Sequence, residues 1–189
     1  MNIYHRWLCQ SAGWKTSLEN TLLPWVLEGI ELGDHLLEVG PGPGLTTDLL
    51  RTRVPRMTAI EIDSRLAESL KGRMANTNVH VVHGDATKMQ FEDQTFSTAL
   101  ALTMLHHIPS IVLQDKLLAE VYRVLRKGGV FAGIDSLVNL RFRLIHIADT
   151  LVVVEPDTFA ARLAATGFVN IRVEKGERRF RFRAMRPLN

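Results

Sequence analysis

The sequence has very little cysteine and no long apolar run. Its single cysteine, Cys9, allows no internal disulfide, which favours a reducing compartment. No stretch reaches the length of a membrane span, because even the apolar region 137–154 is interrupted by arginine and aspartate. The amino terminus lacks the apolar segment of a secretory signal. These absences predict a cytoplasmic protein that is not inserted in a membrane.

The chain also lacks a large charge of either sign. Its formal net charge of +3 permits an anionic partner without requiring one. The positive excess is concentrated in RRFRFRAMRP, residues 178–187. Because side chains alternate along a strand, this segment predicts a solvated arginine face opposite an apolar face of phenylalanine and alanine. The length of 189 residues and the apolar fraction of 46% predict one globular domain.

What the chain does have is an alternation of short apolar runs with amphipathic segments. The segments between the apolar runs are helix-like, and the longest is predicted to stop at Arg126-Lys127-Gly128. Strands that alternate with helices imply right-handed crossovers and a mostly parallel sheet covered on both faces. The runs predict buried strands at 35–39, 57–62, 78–83, 97–102 and 129–134.

The two ends of the chain depart from this alternation. The first 30 residues predict one or two helices, with Pro24 marking a kink or a restart. Near the other end, Glu155-Pro156 opens a helix, and two strand-like runs, GFVNIRVE and RRFRFRAM, follow it. The runs are joined through the short segment KGER, residues 175–178, so they must form an antiparallel pair. The sequence thus predicts an open α/β sheet with an antiparallel edge.

A glycine-rich loop, Gly40-Pro41-Gly42-Pro43-Gly44, follows the first predicted strand. It matches neither a dinucleotide fingerprint nor a Walker loop, because Leu45 stands where each motif requires glycine. Pro41 and Pro43 carry no N–H, so the loop lacks two donors that a phosphate cradle would use. Glu38, just before the loop, would repel a pyrophosphate but suits an ammonium. The loop therefore predicts a flat, positively charged ligand rather than a phosphate.

Two further acidic residues stand at strand ends. Glu61 ends the second predicted strand, where such folds place a carboxylate that binds a ribose diol. Asp85 ends the third, where a carboxylate could accept a hydrogen bond from the amine of an adenine. Asp63 is instead predicted to cap the following helix together with Ser64.

These motifs resemble those of the class I S-adenosylmethionine-dependent methyltransferases. The matching segments are LLEVGPGPG, AIEID, GDA, LHHI and EVYRVLRKGGVF, which together span residues 34–135, and AATGFVNIRVE is similar to the family's last helix-strand step. The resemblance implies a Rossmann-like, doubly wound, mostly parallel seven-stranded sheet whose last strand is antiparallel. It also implies S-adenosylmethionine as the cofactor, with Glu61 at the ribose. The methionine part would lie against Glu38, Gly40, Gly42 and Gly44, the adenine against Asp85 and Ala86, and the fourth strand end would contribute Thr103.

The resemblance also implies a division of the single domain, 1–189, into functional parts. Residues 1–33 would form helices over the acceptor site, and 34–135 the cofactor-binding core. A substrate-side insertion would occupy 136–154, and a helix and strand pair 155–189. Acceptor-binding residues are expected in the first and third parts, namely Tyr4, Trp7, Asp135 and His146, with His5 and Trp14 nearby.

The absence of one motif narrows the range of possible methyl acceptors. The first half of the chain also resembles the ribosomal-RNA adenine dimethyltransferases, whose fourth strand ends in an Asn-Pro-Pro-Tyr-like turn that holds the base. Here the segment 102–107 is LTMLHH, with no proline pair, aromatic residue or amide. We therefore predict a small-molecule acceptor methylated on oxygen, nitrogen or carbon. An RNA adenine methyltransferase and an inactive cofactor-binding protein are the alternatives.

Two adjacent histidines are the candidates for a general base. His106 and His107 follow the fourth strand, near the expected position of the methyl group. Each could also have a structural role, as a helix cap or in packing beneath the sheet. The sequence predicts no metal site, because adjacent histidines without Cys or carboxylate ligands at suitable spacing do not form one. Oligomeric state cannot be derived from these residues.

Overall fold

The structure, a computed structural model, describes residues 11–145 and 149–189. Four residues predicted or considered for the acceptor site lie outside the described residues, namely Tyr4, His5, Trp7 and His146. The helices are α1 (Ala12–Ser17), α2 (Leu23–Leu27), α3 (Leu45–Leu50), α4 (Ser64–Met74), α5 (Ile111–Val124), α6 (Leu140–Ile145) and α7 (Pro156–Thr166). The strands are β1 (His35–Val39), β2 (Arg56–Glu61), β3 (Val79–His83), β4 (Phe96–Leu102), β5 (Leu125–Ser136), β6 (Val169–Lys175) and β7 (Arg179–Met185).

Within the described residues the seven strands form one sheet in the order β3-β2-β1-β4-β5-β7-β6. Strands β1 to β5 are parallel, whereas β7 is antiparallel to both β5 and β6. This arrangement confirms the predicted fold class, including its antiparallel edge. The strand order reverses between β1 and β4, and ligands of open α/β sheets bind at the carboxyl ends of the strands beside such a reversal.

The sheet is covered on both faces, as its apolar strands predict. Successive residues of β1 belong to opposite sides, because Leu36 and Leu37 are fully buried in two different core clusters. One cluster contains α5 and α7, through residues such as Leu117 and Phe159. The other contains the N-terminal helices and α4, through residues such as Leu22 and Leu70. Burial on both faces holds the strand ends, and hence the loops that follow them, in fixed positions.

The longest helix ends earlier than the sequence predicts. Helix α5 stops at Val124, and Leu125 already has extended backbone and pairs with Phe96 of β4. Leu125 is fully buried, so packing favours the strand over continuation of the helix to Gly128. Gly128 does adopt the left-handed backbone expected of a stop residue, with φ +74°, but within the irregular start of β5.

The C-terminal arginines do not form the solvated face that we predicted. Phe180, Phe182 and Ala184 are buried in the core, which confirms the apolar face. On the opposite face, the Arg181 side chain is only 18% exposed and binds Glu28 and Glu174, both at 2.7 Å. The arginines face inward because the N-terminal helices pack over this side of β7.

The described part of the N-terminal region contains a break at the predicted place. Between α1 and α2 the chain forms a π-helical turn, Leu18–Leu22, and Pro24 lies in the first turn of α2. Because proline has no N–H to donate, it fits where a new helical segment begins. Across the residues described, no helix combines the length and apolar character needed to span a bilayer.

Candidate active site

The glycine loop after β1 takes a shape that requires its glycines. Gly40, Gly42 and Gly44 all have positive φ, a conformation that strains residues with a Cβ atom. A Cβ on Gly40 would lie 3.0 Å from the Met104 side chain, and one on Gly44 only 2.4 Å from Leu70. A Cβ on Gly42 would meet no atom within 4 Å, so this glycine faces open space.

All three glycine N–H groups already have acceptors within the protein. Gly40 donates to the Ile60 carbonyl at 2.9 Å, Gly42 to Glu61 Oε2 at 2.9 Å and Gly44 to the Pro41 carbonyl at 3.0 Å. Together with the two prolines, these bonds leave the loop few donors for a phosphate. The geometry thus supports the interpretation that the ligand does not place a pyrophosphate here.

Glu38 lies beneath the loop rather than in the cavity wall. Its side chain is buried and accepts hydrogen bonds from the hydroxyls of Thr46 and Thr47, at the start of α3. Burial raises the pKa of Glu38 to about 7, against the opposing effect of the two hydroxyls, and the nearby charges of Glu61 and Asp48 add to the rise. Glu38 can therefore change its protonation state near neutral pH.

Glu61 connects the end of β2 to the glycine loop. One carboxylate oxygen accepts from Gly42 N at 2.9 Å and the other from Asp63 N at 3.0 Å. A carboxylate has about four lone-pair positions, so Glu61 can still accept hydrogen bonds from ribose hydroxyls. Asp63 caps α4 by accepting from the N–H groups of Arg65 and Leu66, which confirms its predicted capping role.

Asp85 follows β3 and is held by its own turn. Its Oδ1 accepts from both the N–H and the hydroxyl of Thr87, at 2.9 and 2.8 Å, and Lys88 lies 3.8 Å from Oδ2. Partial burial acts to raise the pKa of Asp85, but the Thr87 hydrogen bonds and the Lys88 charge hold that pKa below its ordinary value. Asp85 thus remains ionised at neutral pH and available as an acceptor.

A cavity of about 440 Å³ joins these residues at the carboxyl ends of the first four strands. Its size falls within the range of small-molecule sites. Thr103 contributes to the wall with φ +54°, a strained conformation for a β-branched residue and one that often occurs at functional sites. Of the predicted site residues, the structure brings together Gly40, Gly42, Glu61, Asp85, Ala86, Thr103 and His107 around this cavity.

Four predicted site residues do not line the cavity, namely Glu38, Gly44, His106 and Asp135. The last two form a buried pair, with His106 Nδ1 2.6 Å from Asp135 Oδ1. The other oxygen of Asp135 accepts from the His106 backbone N–H at 3.2 Å. The two adjacent histidines therefore have different surroundings, since His107 borders the cavity and His106 lies behind its wall.

Other residues that border the cavity were outside our predicted site set. Asp149 lies in the predicted insertion, and its Oδ1 is 4.0 Å from His107 Nδ1. Trp14, considered for the acceptor side because it belongs to the N-terminal helices, borders the cavity from α1. The apolar wall here could not be distinguished from core residues by sequence. It comprises Leu18, Met104, Ile108 and Leu113, with Thr150 beside them.

Gln114 connects the wall to the insertion. Its side-chain amide donates to the carbonyls of Leu105 and Val152, at 3.1 and 2.9 Å, and Val152 N donates to the His106 carbonyl at 2.8 Å. Asp135, His106 and Gln114 thus hold the turn after β4 against the segment that carries Asp149. No group of three or more His, Cys, Asp or Glu suited to a metal ion occurs among the described residues.

A doubly wound sheet with a glycine loop after β1 and carboxylates after β2 and β3 defines the class of α/β proteins that bind a nucleoside cofactor at this edge. A family model described as a methyltransferase domain matches residues 37–133, just over half of the chain. The chain therefore belongs to the class I S-adenosylmethionine-dependent methyltransferases, whose cofactor is S-adenosylmethionine.

Two similar curated proteins match the chain over different lengths. The sterol 4-C-methyltransferase strm-1 of Caenorhabditis elegans is 33% identical over 118 residues, which are 59% of this chain and 34% of that protein. A probable ribosomal RNA small subunit methyltransferase A of Thermococcus sibiricus is 42% identical over 64 residues, 34% of this chain and 23% of that protein. The chain thus spans about a third or less of the length of these relatives.

A solved structure supports the fold over nearly the whole chain. Phosphoethanolamine N-methyltransferase 2 of Haemonchus contortus, in complex with phosphomonomethylethanolamine and S-adenosylhomocysteine, superposes with a TM-score of 0.77 at 15% identity. The match covers 97% of this chain and 56% of that one. At this identity the likeness concerns the fold alone.

Proposed function

We propose that this chain binds S-adenosylmethionine and transfers its methyl group to a small-molecule acceptor. The observation that carries the proposal is the cavity, which is bordered by the glycine loop, Glu61 and Asp85 and also by apolar side chains such as Met104 and Leu113. The first three features suit methionine, ribose and adenine in that order. The apolar part of the wall suits an acceptor beside the sulfonium, so that nucleophile, methyl carbon and sulfur can align with water excluded.

A small molecule fits this cavity better than a nucleic acid does. Nucleic-acid sites present lysine or arginine to phosphates, and no lysine or arginine occurs among the described residues that border the cavity. The turn after β4 also lacks the residues that hold a flipped adenine. The similarity to a sterol and a phosphoethanolamine methyltransferase, both named for small-molecule acceptors, supports this choice.

An RNA adenine methyltransferase remains the second candidate, because the Thermococcus sibiricus relative matches 64 residues of this chain at 42% identity. A cofactor-binding protein without turnover is the third candidate.

Formation of S-adenosylhomocysteine from a metabolite extract but not from ribosomal RNA would support the small-molecule acceptor. The opposite result would favour the RNA enzyme, and no turnover with either would favour the binding protein. The cytoplasmic location stays a prediction.

Calorimetry with S-adenosylmethionine, S-adenosylhomocysteine and NAD tests the cofactor. We expect binding of the first two and none of NAD, whose pyrophosphate would meet a loop with few free N–H donors. Failure of the first two ligands to bind, or tight binding of NAD, would contradict the proposal.

Changing Glu61 to glutamine is expected to weaken S-adenosylhomocysteine binding by about 10- to 100-fold, or about 1–3 kcal/mol. The amide would lose the charge that strengthens hydrogen bonds from ribose hydroxyls, and it could accept from only one of the two N–H groups that Glu61 now holds. Calorimetry measures the affinity, and thermal denaturation checks the fold.

The matched control is Glu68→Gln, which makes the same substitution at an exposed position of α4. We expect this variant to bind S-adenosylhomocysteine within about twofold of the unmodified protein, as exposed substitutions change little. If both variants bound equally well, Glu61 would have no part in the site.

A further inference from the structure

The charged residues that border the cavity are all of one sign in the part of the chain that the structure describes. They are the carboxylates Glu61, Asp63, Asp85 and Asp149. Arg179, which stacks on the Trp14 ring at 5.2 Å, is not among the bordering residues. The bound cofactor and its acceptor would therefore lie in a negative field, made stronger by partial exclusion of water.

Three of these carboxylates belong to the cofactor end. Glu61 holds the glycine loop, Asp63 caps α4 and Asp85 is bound by Thr87. Asp149 is different, because it borders the cavity from the segment after α6 and lies 4.0 Å from His107, on the acceptor side that the family resemblance implies. Its side chain is only 6% exposed, so its charge is poorly screened by solvent.

The charge that develops during methyl transfer depends on the acceptor. An amine attacks as its neutral base and becomes an ammonium, so positive charge moves from sulfur to nitrogen. A phenol, carboxylic acid or enol must instead react as an anion, which nearby carboxylates disfavour. A site stabilises the transition state whose charge it complements. A buried carboxylate on the acceptor side thus favours nitrogen over an anionic oxygen or carbon.

We propose that the acceptor is a primary or secondary amine on an apolar body, without phosphate or carboxylate groups. This inference rests on the proposed methyltransferase function. The nitrogen lone pair forms the new bond to the methyl carbon while the carbon–sulfur bond breaks, and its electrons remain on sulfur as the thioether of S-adenosylhomocysteine. The amine enters as an ammonium beside Asp149 and gives one proton to His107 before its lone pair attacks. The methylated product is again an ammonium, whose charge Asp149 stabilises. Trp14, Leu18, Ile108 and Leu113 would contact the apolar body.

The effect of the electrostatic field at the methyl position can be measured through ligand affinities before the acceptor is known. Sinefungin carries an amine-bearing carbon in place of the methylated sulfur, so its ammonium reports on the acceptor side of the cavity. We expect the protein to bind sinefungin about 10-fold more tightly than S-adenosylhomocysteine, as a charge-assisted contact would allow. Asp149→Asn should remove this preference while leaving S-adenosylhomocysteine affinity within about twofold.

Asp93→Asn is the control, because Asp93 is a surface carboxylate paired with Arg123 on another part of the molecule. It should keep the preference for sinefungin. Equal binding of the two ligands, or an Asp149→Asn variant that keeps the preference, would overturn the assignment of Asp149. If neither ligand bound, the proposed function itself would fail.

Fractionated metabolites test the acceptor class directly. An extract is separated at neutral pH into material retained by a cation exchanger, material retained by an anion exchanger and unretained material. S-Adenosylhomocysteine should form only with the cation-exchange fraction, where amines collect. Turnover with either other fraction would overturn the amine proposal. A lack of turnover with all three, despite cofactor binding, would count against methyltransferase activity and hence against both proposals.

Discussion

Replacing Asp135 with alanine is expected to lower the free energy of unfolding by about 3–5 kcal/mol, the usual cost of removing one partner of a buried polar pair. Asp135 and His106 are 1% and 3% exposed, so water cannot substitute for the lost carboxylate. Three groups would lose their acceptor, namely His106 Nδ1, the His106 backbone N–H and the Ser136 N–H. Urea denaturation of the purified protein measures the change.

The control for this prediction is Asp93→Ala, which removes an exposed ion pair with Arg123. Exposed pairs contribute about 0–1 kcal/mol, so this variant should remain close to the unmodified protein. Similar unfolding free energies for the two variants would show that the buried pair contributes little. Asp135→Asn is a milder form, because its amide oxygen can still accept one of the three hydrogen bonds.

The Asp135 substitution should also affect the site, because its partner connects two parts of the cavity wall. The His106 carbonyl accepts from Val152, in the segment that carries Asp149, and His106 precedes His107 in the chain. Hydrogen exchange would therefore rise in both the turn after β4 and residues 150–153, even at urea concentrations where the variant stays folded. Faster exchange confined to the turn would mean that the two segments are held independently.

The pattern of apolar runs was sufficient to predict the sheet, because each buried strand is short, continuous and bounded by polar turns. The hairpin could be predicted as well, since so short a connection allows only antiparallel pairing. The end of α5 could not be predicted from the sequence. A helical period continues through Leu125, and only the tertiary contact with Phe96 shows that this residue belongs to a strand.

The residues of the site likewise fall into two groups, those whose position follows from the strand pattern and those whose position depends on tertiary contacts. Glu61 and Asp85 could be placed because each follows a parallel strand, and all such ends meet at one edge. The different surroundings of His106 and His107 could not be foreseen, since the turn Leu105–His107 is a short 3₁₀ segment to which neither strand nor helix periodicity applies. Asp149 lay in a region of mixed character, where the sequence offers no period that would assign it to a wall.

Glu38→Gln is expected to stabilise the protein at neutral pH by about 3 kcal/mol. This is the free energy that corresponds to the rise of the Glu38 pKa from 4.5 to about 7 on folding. Below pH 4.5 the carboxyl is protonated in both the folded and the unfolded chain, so it contributes no difference. Between pH 4.5 and about 7 the folded chain holds the proton that the unfolded chain has lost, so stability falls as pH rises. Above about pH 7 both forms of the chain have lost the proton, so the loss of stability is complete and no longer changes with pH.

The difference between the two proteins isolates this effect, because their other titrating groups are the same. Urea denaturation at a series of pH values should give equal stability near pH 4.5 and a growing advantage of the glutamine variant up to about pH 7. A difference that stayed constant with pH would mean that Glu38 does not titrate in this range. The Thr46 and Thr47 hydroxyls can also bond an amide, so the variant should fold.

Cofactor binding should act on Glu38 in the opposite direction to folding. Burial favours the protonated carboxyl, whereas a methionine ammonium beside the glycine loop would favour the carboxylate. Binding of S-adenosylhomocysteine below about pH 7 should then release a proton, and affinity should rise with pH toward that value. Calorimetry in buffers of different ionisation enthalpy measures the release, which should vanish in Glu38→Gln. A release that persisted in the variant would assign the proton to another group and separate Glu38 from the cofactor.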